Sequence, residues 1–160
     1  MRQLIFILIV ISFIGCKRDV VYEKQTIIEN NIWYRIDRNH LLKFEAEIKD
    51  IYMDYTVYIK LRYKTSYSFN NLKIGFCMYS PENEERYSEH NLQLKNKDGS
   101  FIGSRSGDYR DFEFPLLKNI EFSESGKYKF ELENLMDKYE IPGIMQIGIS
   151  VKKEKKLKNN

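Results

Sequence analysis

A chain of 160 residues carrying a formal net charge of +3 has room for one domain with a sizeable core, and a second domain would be hard to fit. Its 12 Tyr and 10 Phe against 8 Gly and 3 Pro point to an ordered, strand-rich globule and exclude a disordered or fibrous chain. Much of the positive excess lies between Lys152 and Lys158, so the body is near neutral and offers no broad nucleic-acid footprint.

Residues 1–15 read as an export signal. Arg2 supplies a short positive start, and Leu4 to Ile14 form an apolar run broken only by Ser12. A membrane-spanning helix wants about 20 apolar residues. Here Lys17, Arg18 and Asp19 follow at once, so the run reads as the hydrophobic region of a signal peptide. Phe13-Ile14-Gly15-Cys16 resembles a lipobox, the motif cut by lipoprotein signal peptidase after the cysteine thiol has received a diacylglycerol. Cys16 is therefore expected to become the lipid-modified N-terminus. Two or three acyl chains, at about 0.8 kcal/mol per buried methylene, make a lasting anchor where one would be marginal. The alternative for Cys16 is a disulfide, for which Cys77 is the one available partner. With Cys16 acylated, Cys77 becomes a lone thiol, read as a small residue within a sheet. The expected organisation is a signal peptide at 1–15, a lipidated N-terminus and polar tether at 16–25, a folded domain at 26–151 and a basic flexible tail at 152–160.

The folded body announces itself by alternation. Leu42, Phe44, Ala46 and Ile48 alternate with Lys43, Glu45, Glu47 and Lys49, the period of two of a strand with one face in a core and one in water. Tyr55, Val57, Ile59, Leu61 and Tyr63 repeat the pattern after a break at residues 50–54. Leu72, Ile74, Phe76 and Met78 mark a third strand, with Cys77 on its other face. The charged stretch from Ser80 to Glu89, with Pro81, predicts a solvated loop, followed by a short strand from His90 to Leu94. Asp98-Gly99 supplies a turn. Phe112, Phe114 and Leu116 give a half-buried run in which Pro115 demands an edge or a bulge. Tyr128, Phe130 and Leu132 form the next strand, and Met145, Ile147, Ile149 and Val151 the last. Between these two, residues 134–140 have the composition for one or two helical turns capped by Asn134.

About seven one-sided strands with at most one short helical segment require two sheets hiding their apolar faces against each other. The predicted fold is thus an all-β, two-sheet antiparallel β-sandwich, with a closed barrel as runner-up. A membrane-spanning barrel is disfavoured by Glu45, Glu47, Lys60, Arg62, Lys129 and Glu131 on the polar strand faces. Catalytic chemistry finds little to use. His40 and His90 are the two histidines, and neither has metal-ligand spacing to Cys, Asp or Glu or a serine nucleophile-elbow context. Asp98, Asp108 and Asp111 surround the Gly99–Gly107 stretch, but their spacing fits no EF-hand, and those glycines lack the strand, helix and lysine of a phosphate loop. No cofactor, metal, nucleic acid or small-molecule substrate is expected.

Taken in order along the chain, the lipobox, the Trp33 segment, Phe44 to Asp50, Tyr55 to Arg62, and Tyr67-Ser68-Phe69-Asn70-Asn71-Leu72 form one set of landmarks. The Gly99–Gly107 stretch, Gly126-Lys127-Tyr128-Lys129-Phe130, Leu135-Met136, Ile141-Pro142-Gly143-Ile144 and Ile147-Gly148-Ile149 complete it. Together they resemble the GldH family of gliding-motility lipoproteins over nearly the whole chain. The sequence departs from that pattern at Phe101 in place of the usual tryptophan, at Asp137 after the methionine, and at Phe13 in the lipobox. The resemblance implies a non-enzymatic, lipid-anchored accessory of the Bacteroidetes gliding machinery, which is linked to type IX secretion. Its partners would be envelope proteins of that machinery, its membrane contact the lipid, and no catalytic residue carries over. The residues singled out for partner contact or for structural roles are Trp33, Arg62, Tyr67, Asn71 and the loop from Gly99 to Gly107. The rival reading is a carbohydrate- or peptide-binding surface lipoprotein. It calls for several of Trp33, Tyr34, Tyr58, Tyr63 and Tyr67 to form a coplanar platform in a groove. A flatter patch rimmed by Arg62 and other polar groups favours a protein partner.

Overall fold

Alternation along the chain becomes burial across two sheets in the computed structural model, which describes residues 19–35 and 41–154. The signal peptide, Cys16, His40 and the end of the basic tail lie outside the described residues. The elements are β1 (Val20–Ile27), a short 3-10 turn (Glu29–Asn31), β2 (Ile32–Tyr34), β3 (Leu42–Ile48), β4 (Asp54–Lys64), β5 (Asn71–Tyr79) and β6 (Glu85–Gln93). They continue as β7 (Ser104–Ser106), β8 (Tyr109–Ile120), β9 (Gly126–Asn134), β10 (Glu140–Pro142) and β11 (Ile144–Glu154). One sheet has the order β1-β11-β4-β8-β7, the other β3-β9-β5-β6, and β10-β2 is a separate ribbon. All strand pairs are antiparallel. Hydrogen bonding runs within each large sheet and stops at its own edge strands. The layers therefore face each other as a sandwich and do not close into a barrel.

The core is what the alternation predicts. Val57, Ile59 and Tyr63 on β4, Ile74 and Phe76 on β5, Phe130 on β9 and Ile147 and Ile149 on β11 are all fully buried. Leu42 packs against that cluster while remaining partly exposed, at the entry to β3. Each such aliphatic or aromatic side chain contributes on the order of 1.5–3 kcal/mol by leaving water. Tyr55, Phe122 and Tyr128 stitch the layers, with ring centroids 5.0 Å apart for Tyr55–Phe122 and 4.5 Å for Phe122–Tyr128.

Pro115 satisfies both of its options. Tyr58 lies opposite Pro115 and Val57 opposite Leu117, so Leu116 is an extra residue of a bulge, and Leu116 and Leu117 are both buried. β7 pairs only with Tyr109–Asp111, leaving the Pro115 stretch of β8 without a second neighbour among the described residues.

Four expectations need correction. The polar tether expected through residue 25 is instead strand from Val20, paired with β11 from Val20↔Lys152 to Ile27↔Gln146. Its weak period reflects an edge position: Val20, Tyr22 and Thr26 are partly covered while their neighbours meet water. The loop expected from Ser80 to Glu89 ends early, because β6 starts at Glu85 and is held to β5 by backbone bonds that need no apolar side chain. Asn134 caps a turn and no helix: its Oδ1 accepts from the Met136 N–H at 2.9 Å, and residues 135–139 lead to β10 through a bend with no helical turn. Finally, the basic tail begins later than residue 152, since β11 runs through Glu154 and Lys152 and Lys153 are ion-paired to Glu113 and Asp50.

Candidate functional site

The residues singled out by sequence fall at three places in the fold. The first is interior. Trp33 is 2 % exposed, its backbone carbonyl accepts from Asn134 Nδ2 at 3.0 Å, and it lies opposite Ile141 in the β2–β10 ribbon. Tyr67 is 1 % exposed, and its hydroxyl donates to the Asn71 carbonyl at 2.9 Å. Burial pushes the Tyr67 phenol well above the usual tyrosine range. Gly143, in the left-handed region at φ +94°, lies against the Tyr67 ring and backbone. A side chain there would be strained by the backbone angle, while its Cβ would meet Tyr67 only at ordinary contact distance. Short segments far apart in sequence, at Trp33, Tyr67–Asn71 and Ile141–Gly143, thus meet through the Gly143 N–H, which donates to Asn31 O at 2.8 Å, and through the contact with Tyr67. Asn71 also donates a side-chain bond to Asn91 across β5–β6.

Tyr63, which alternation places with the core and the sugar-platform reading would need at the surface, is a buried hub. Its ring is edge-on to Tyr67 at 5.8 Å and tilted against Phe101 at 6.1 Å. Its hydroxyl lies within hydrogen-bond distance of the carbonyls of Leu94, at 2.9 Å, and Ile102, which share its single proton. It thereby ties down the chain that crosses from β6 to β7 and contains the Gly99 turn. Burial raises the Tyr63 phenol to about 12. The signal was available in its parity with Ile59 and Leu61, because a buried Tyr needs a partner for its O–H.

The second surface is the outer face of the β1-β11-β4-β8 layer. Arg62 makes a bidentate pair with Asp111, Nε to Oδ1 at 2.7 Å and Nη2 to Oδ2 at 3.0 Å, and its guanidinium lies 4.5 Å from the Tyr109 ring centroid. The Asp111 carboxylate holds the Arg62 guanidinium above its ordinary value. Lys60 pairs with Glu23 and Lys152 with Glu113, each at 2.7 Å, and Lys152 also sits 4.4 Å over the Tyr58 ring. Gly148 permits this traffic over β11, since a Cβ there would stand 2.3 Å from the Lys24 carbonyl. The result is a shallow groove of about 470 Å³ lined by Asp19, Glu23, Lys60, Asp111, Glu113 and Lys152, among others. Its alternating charges suit a polar, protein-like partner better than an apolar small molecule.

The third set is the turns. Gly99 (φ +82°) and Gly107 (φ +58°) sit at tips with open space around them, so their conformation is the turn's requirement. Asp98 accepts from the Ser100 N–H at 2.9 Å and from its hydroxyl, which lowers the Asp98 carboxyl. Asp108 and Asp111 are not gathered with it: Asp111 is taken by Arg62. No group of three or more His, Cys, Asp or Glu poised for a metal occurs among the described residues.

Cys77, 7 % exposed, lies on the outer face of β5, covered by its neighbours, and burial raises its thiol. His90 points inward from β6, its Nε2 2.9 Å from Ser88 Oγ and its ring edge-on to Phe76 and Phe114. Burial lowers its pKa. Of the five aromatics that a sugar platform would need, Trp33, Tyr63 and Tyr67 are buried, Tyr58 lies under Lys152, and Tyr34 is tilted 56° against Tyr139. They do not make a coplanar surface.

Comparison with known proteins gives consistent results. The profile of a family described as GldH lipoprotein matches residues 20–151. A gliding motility lipoprotein GldH homolog of Christiangramia forsetii is 26% identical over 93% of this chain and 93% of its own length. The gliding motility lipoprotein GldH of Flavobacterium johnsoniae is 22% identical over 88% of this chain and 85% of its own. Among solved structures, TmCBM61 in complex with beta-1,4-galactotriose overlaps 82% of this chain and 88% of its own at 12% identity, with a TM-score of 0.37, too loose a fit to carry a ligand across.

Proposed function

The chain belongs to the GldH lipoprotein family, and from that membership we propose that it works without turnover, by holding a protein of the gliding and type IX secretion machinery at the membrane through its folded surface. It is a non-enzymatic, lipid-anchored envelope protein and an accessory of gliding motility. The observation that carries the reading is the span of the family match, residues 20–151, which takes in nearly every described strand.

The finer parts of the proposal rest on chemistry. Cys16 carries the acyl chains after cleavage behind Gly15, since its thiol is the one nucleophile at the end of the apolar leader. The polar, ion-paired outer face with Arg62 supports a protein partner, and the burial of Trp33, Tyr63 and Tyr67 weighs against a sugar-binding platform. Tethering confines the domain near other envelope proteins, so even a modest interface is occupied. The test is in-cell crosslinking with affinity capture from wild type and from Cys16→Ser, alongside mass spectrometry of the mature N-terminus. Recovery of gliding or secretion components from wild type and its loss in the variant are expected. Recovery of no envelope protein, combined with retention on a purified glycan, would replace this reading with the sugar-binding one.

A further inference from the structure

We propose that the outer edge of β6 is a docking edge, which takes an extended segment of a partner protein with alternating basic and apolar side chains as a fifth strand of the β3-β9-β5-β6 sheet. This rests on the reading that the protein acts by holding a partner, and it names where and by what chemistry.

β6 is the last strand of its sheet, and it pairs with β5 in one unbroken register from Asn71↔Gln93 to Tyr79↔Glu85. The direction of its free backbone groups follows from the two ends of that ladder. Leu94 N–H donates to Asn70 O and Ser80 N–H to Glu84 O, both at 2.9 Å, so even-numbered residues face across the β5–β6 ladder. Antiparallel alternation then turns the N–H and C=O of Glu85, Tyr87, Glu89, Asn91 and Gln93 outward.

The other edges are guarded in the usual ways. β1 has a register shift between Val20 and Tyr22 and carries Lys24; β8 has two shifts and Pro115; β3 carries Lys43; β7 is three residues long. β6 has nine residues with no proline, no lysine and no shift, and its one cation, Arg86, stands near its start. Among the described residues, this row of strand donors and acceptors has no backbone partner on its outer side, and the charges along it are mainly the glutamates Glu85 and Glu89.

The side chains beside this edge define the occupant. On the outer face, a hollow of about 170 Å³ beside Cys77 is lined by Tyr79, Glu85, Tyr87, Glu131 and Glu133, together with Leu41. The Tyr87 hydroxyl donates to Glu133 Oε1 at 3.0 Å. Lysine or arginine side chains on an added strand would be cross-strand neighbours of Glu85 and Glu89 on β6, while Glu131 and Glu133, two strands further in on β9, add negative charge to the same face. On the inner face, His90 meets Phe114 across the layers, and Phe114 stacks on Phe112 at 6.2 Å with both only partly buried. Apolar side chains of the same added strand would complete that cover. A second copy of this chain fits poorly. Any two-fold antiparallel pairing centred between Tyr87 and His90 sets Glu89 opposite or diagonal to a glutamate of the copy, and like charges there repel.

The full-length lipoprotein in detergent micelles is titrated with a synthetic ten-residue peptide of alternating Lys and Val. The comparison peptides are alternating Glu and Val, and the Lys-Val sequence methylated on every backbone nitrogen. The Lys-Val peptide is expected to bind and to slow amide exchange at Tyr87, Glu89 and Asn91, and the methylated form to lose binding because its strand donors are gone. Glu85→Lys combined with Glu89→Lys, both at exposed positions, should shift preference from the Lys-Val to the Glu-Val peptide by about tenfold or more. Glu89→Pro, which removes one outward donor, should weaken both. Equal binding by the methylated peptide, or an unchanged preference in the double-lysine variant, would overturn the proposal. Success of in-cell capture beside failure of the peptide would isolate a wrong edge from a wrong function.

Discussion

Asn134 shows how one buried polar residue holds two segments together. At 1 % exposure it gives Nδ2–H to Trp33 O and takes the Met136 N–H on Oδ1, joining the end of β9 to β2 and to its own following turn. Asn134→Ala leaves a buried carbonyl and a buried N–H unpaired, so a loss of roughly 2–4 kcal/mol is expected in chemical denaturation. Ile59→Asp should cost roughly 4 kcal/mol, since it places a charge at a fully buried site between Ile149 and Phe114. His90 adds a pH dependence of definite sign. Burial lowers its pKa below the ordinary 6.5, so the unfolded chain binds the proton more readily than the folded one. Its contribution is complete above about pH 6.5 and declines as pH falls below that value toward the folded pKa. Denaturant midpoints of wild type should drop on acidification through this window more steeply than those of His90→Gln. Parallel curves would show that the imidazole does not couple to folding.

Strand β1 shows how an element can be set by its partner more than by its own residues. Val20–Ile27 has a weak period, yet it lies along β11 with Gly148 directly opposite Gln25. The absence of a Cβ at Gly148 lets the backbone of β1 approach, since a methyl there would stand 2.3 Å from Lys24 O. Gly148→Ala should therefore displace β1 at a cost of about 1–3 kcal/mol, with faster amide exchange confined to Val20–Ile27. Exchange unchanged in β1 would mean that the close approach is not what registers the strand. β8 makes the complementary point. Its bulges at Leu116 and near Asn119, where φ is +50°, aim consecutive leucines inward and free Pro115 from a donor it cannot supply.

For the whole molecule, position at the membrane and the sandwich surface act together. The anchor fixes where the domain works, and the ion-paired outer face and the bare β6 edge are what it presents there. Cys16→Ser should move the protein from the membrane to the soluble fraction while leaving its thermal unfolding intact, because the described body folds through strands that begin at Val20. Retention of the variant in washed membranes would point to an anchor other than the lipid.

Sequence alone determined the strands whose side chains alternate between core and water, because a period of two is imposed locally by the pleat. That is why Phe44 to Ile48, Val57 to Tyr63, Tyr128 to Leu132 and Ile147 to Val151 were legible, as was the family from the order of its short motifs. It also located Trp33, Arg62, Tyr67 and Asn71, but not what each one touches. Tertiary structure decided the rest. β1, the first half of β6 from Glu85 to Glu89, and the β2–β10 ribbon are strands because a neighbour offers hydrogen bonds, and those bonds leave no mark in side-chain hydropathy; the second half of β6 was legible as the short strand from His90. Arg62 was committed to Asp111, and Trp33 and Tyr67 to the interior, by residues 40 or more positions away in several of these contacts. Pairing between distant strands is a property of the folded chain, and only folding could assign it.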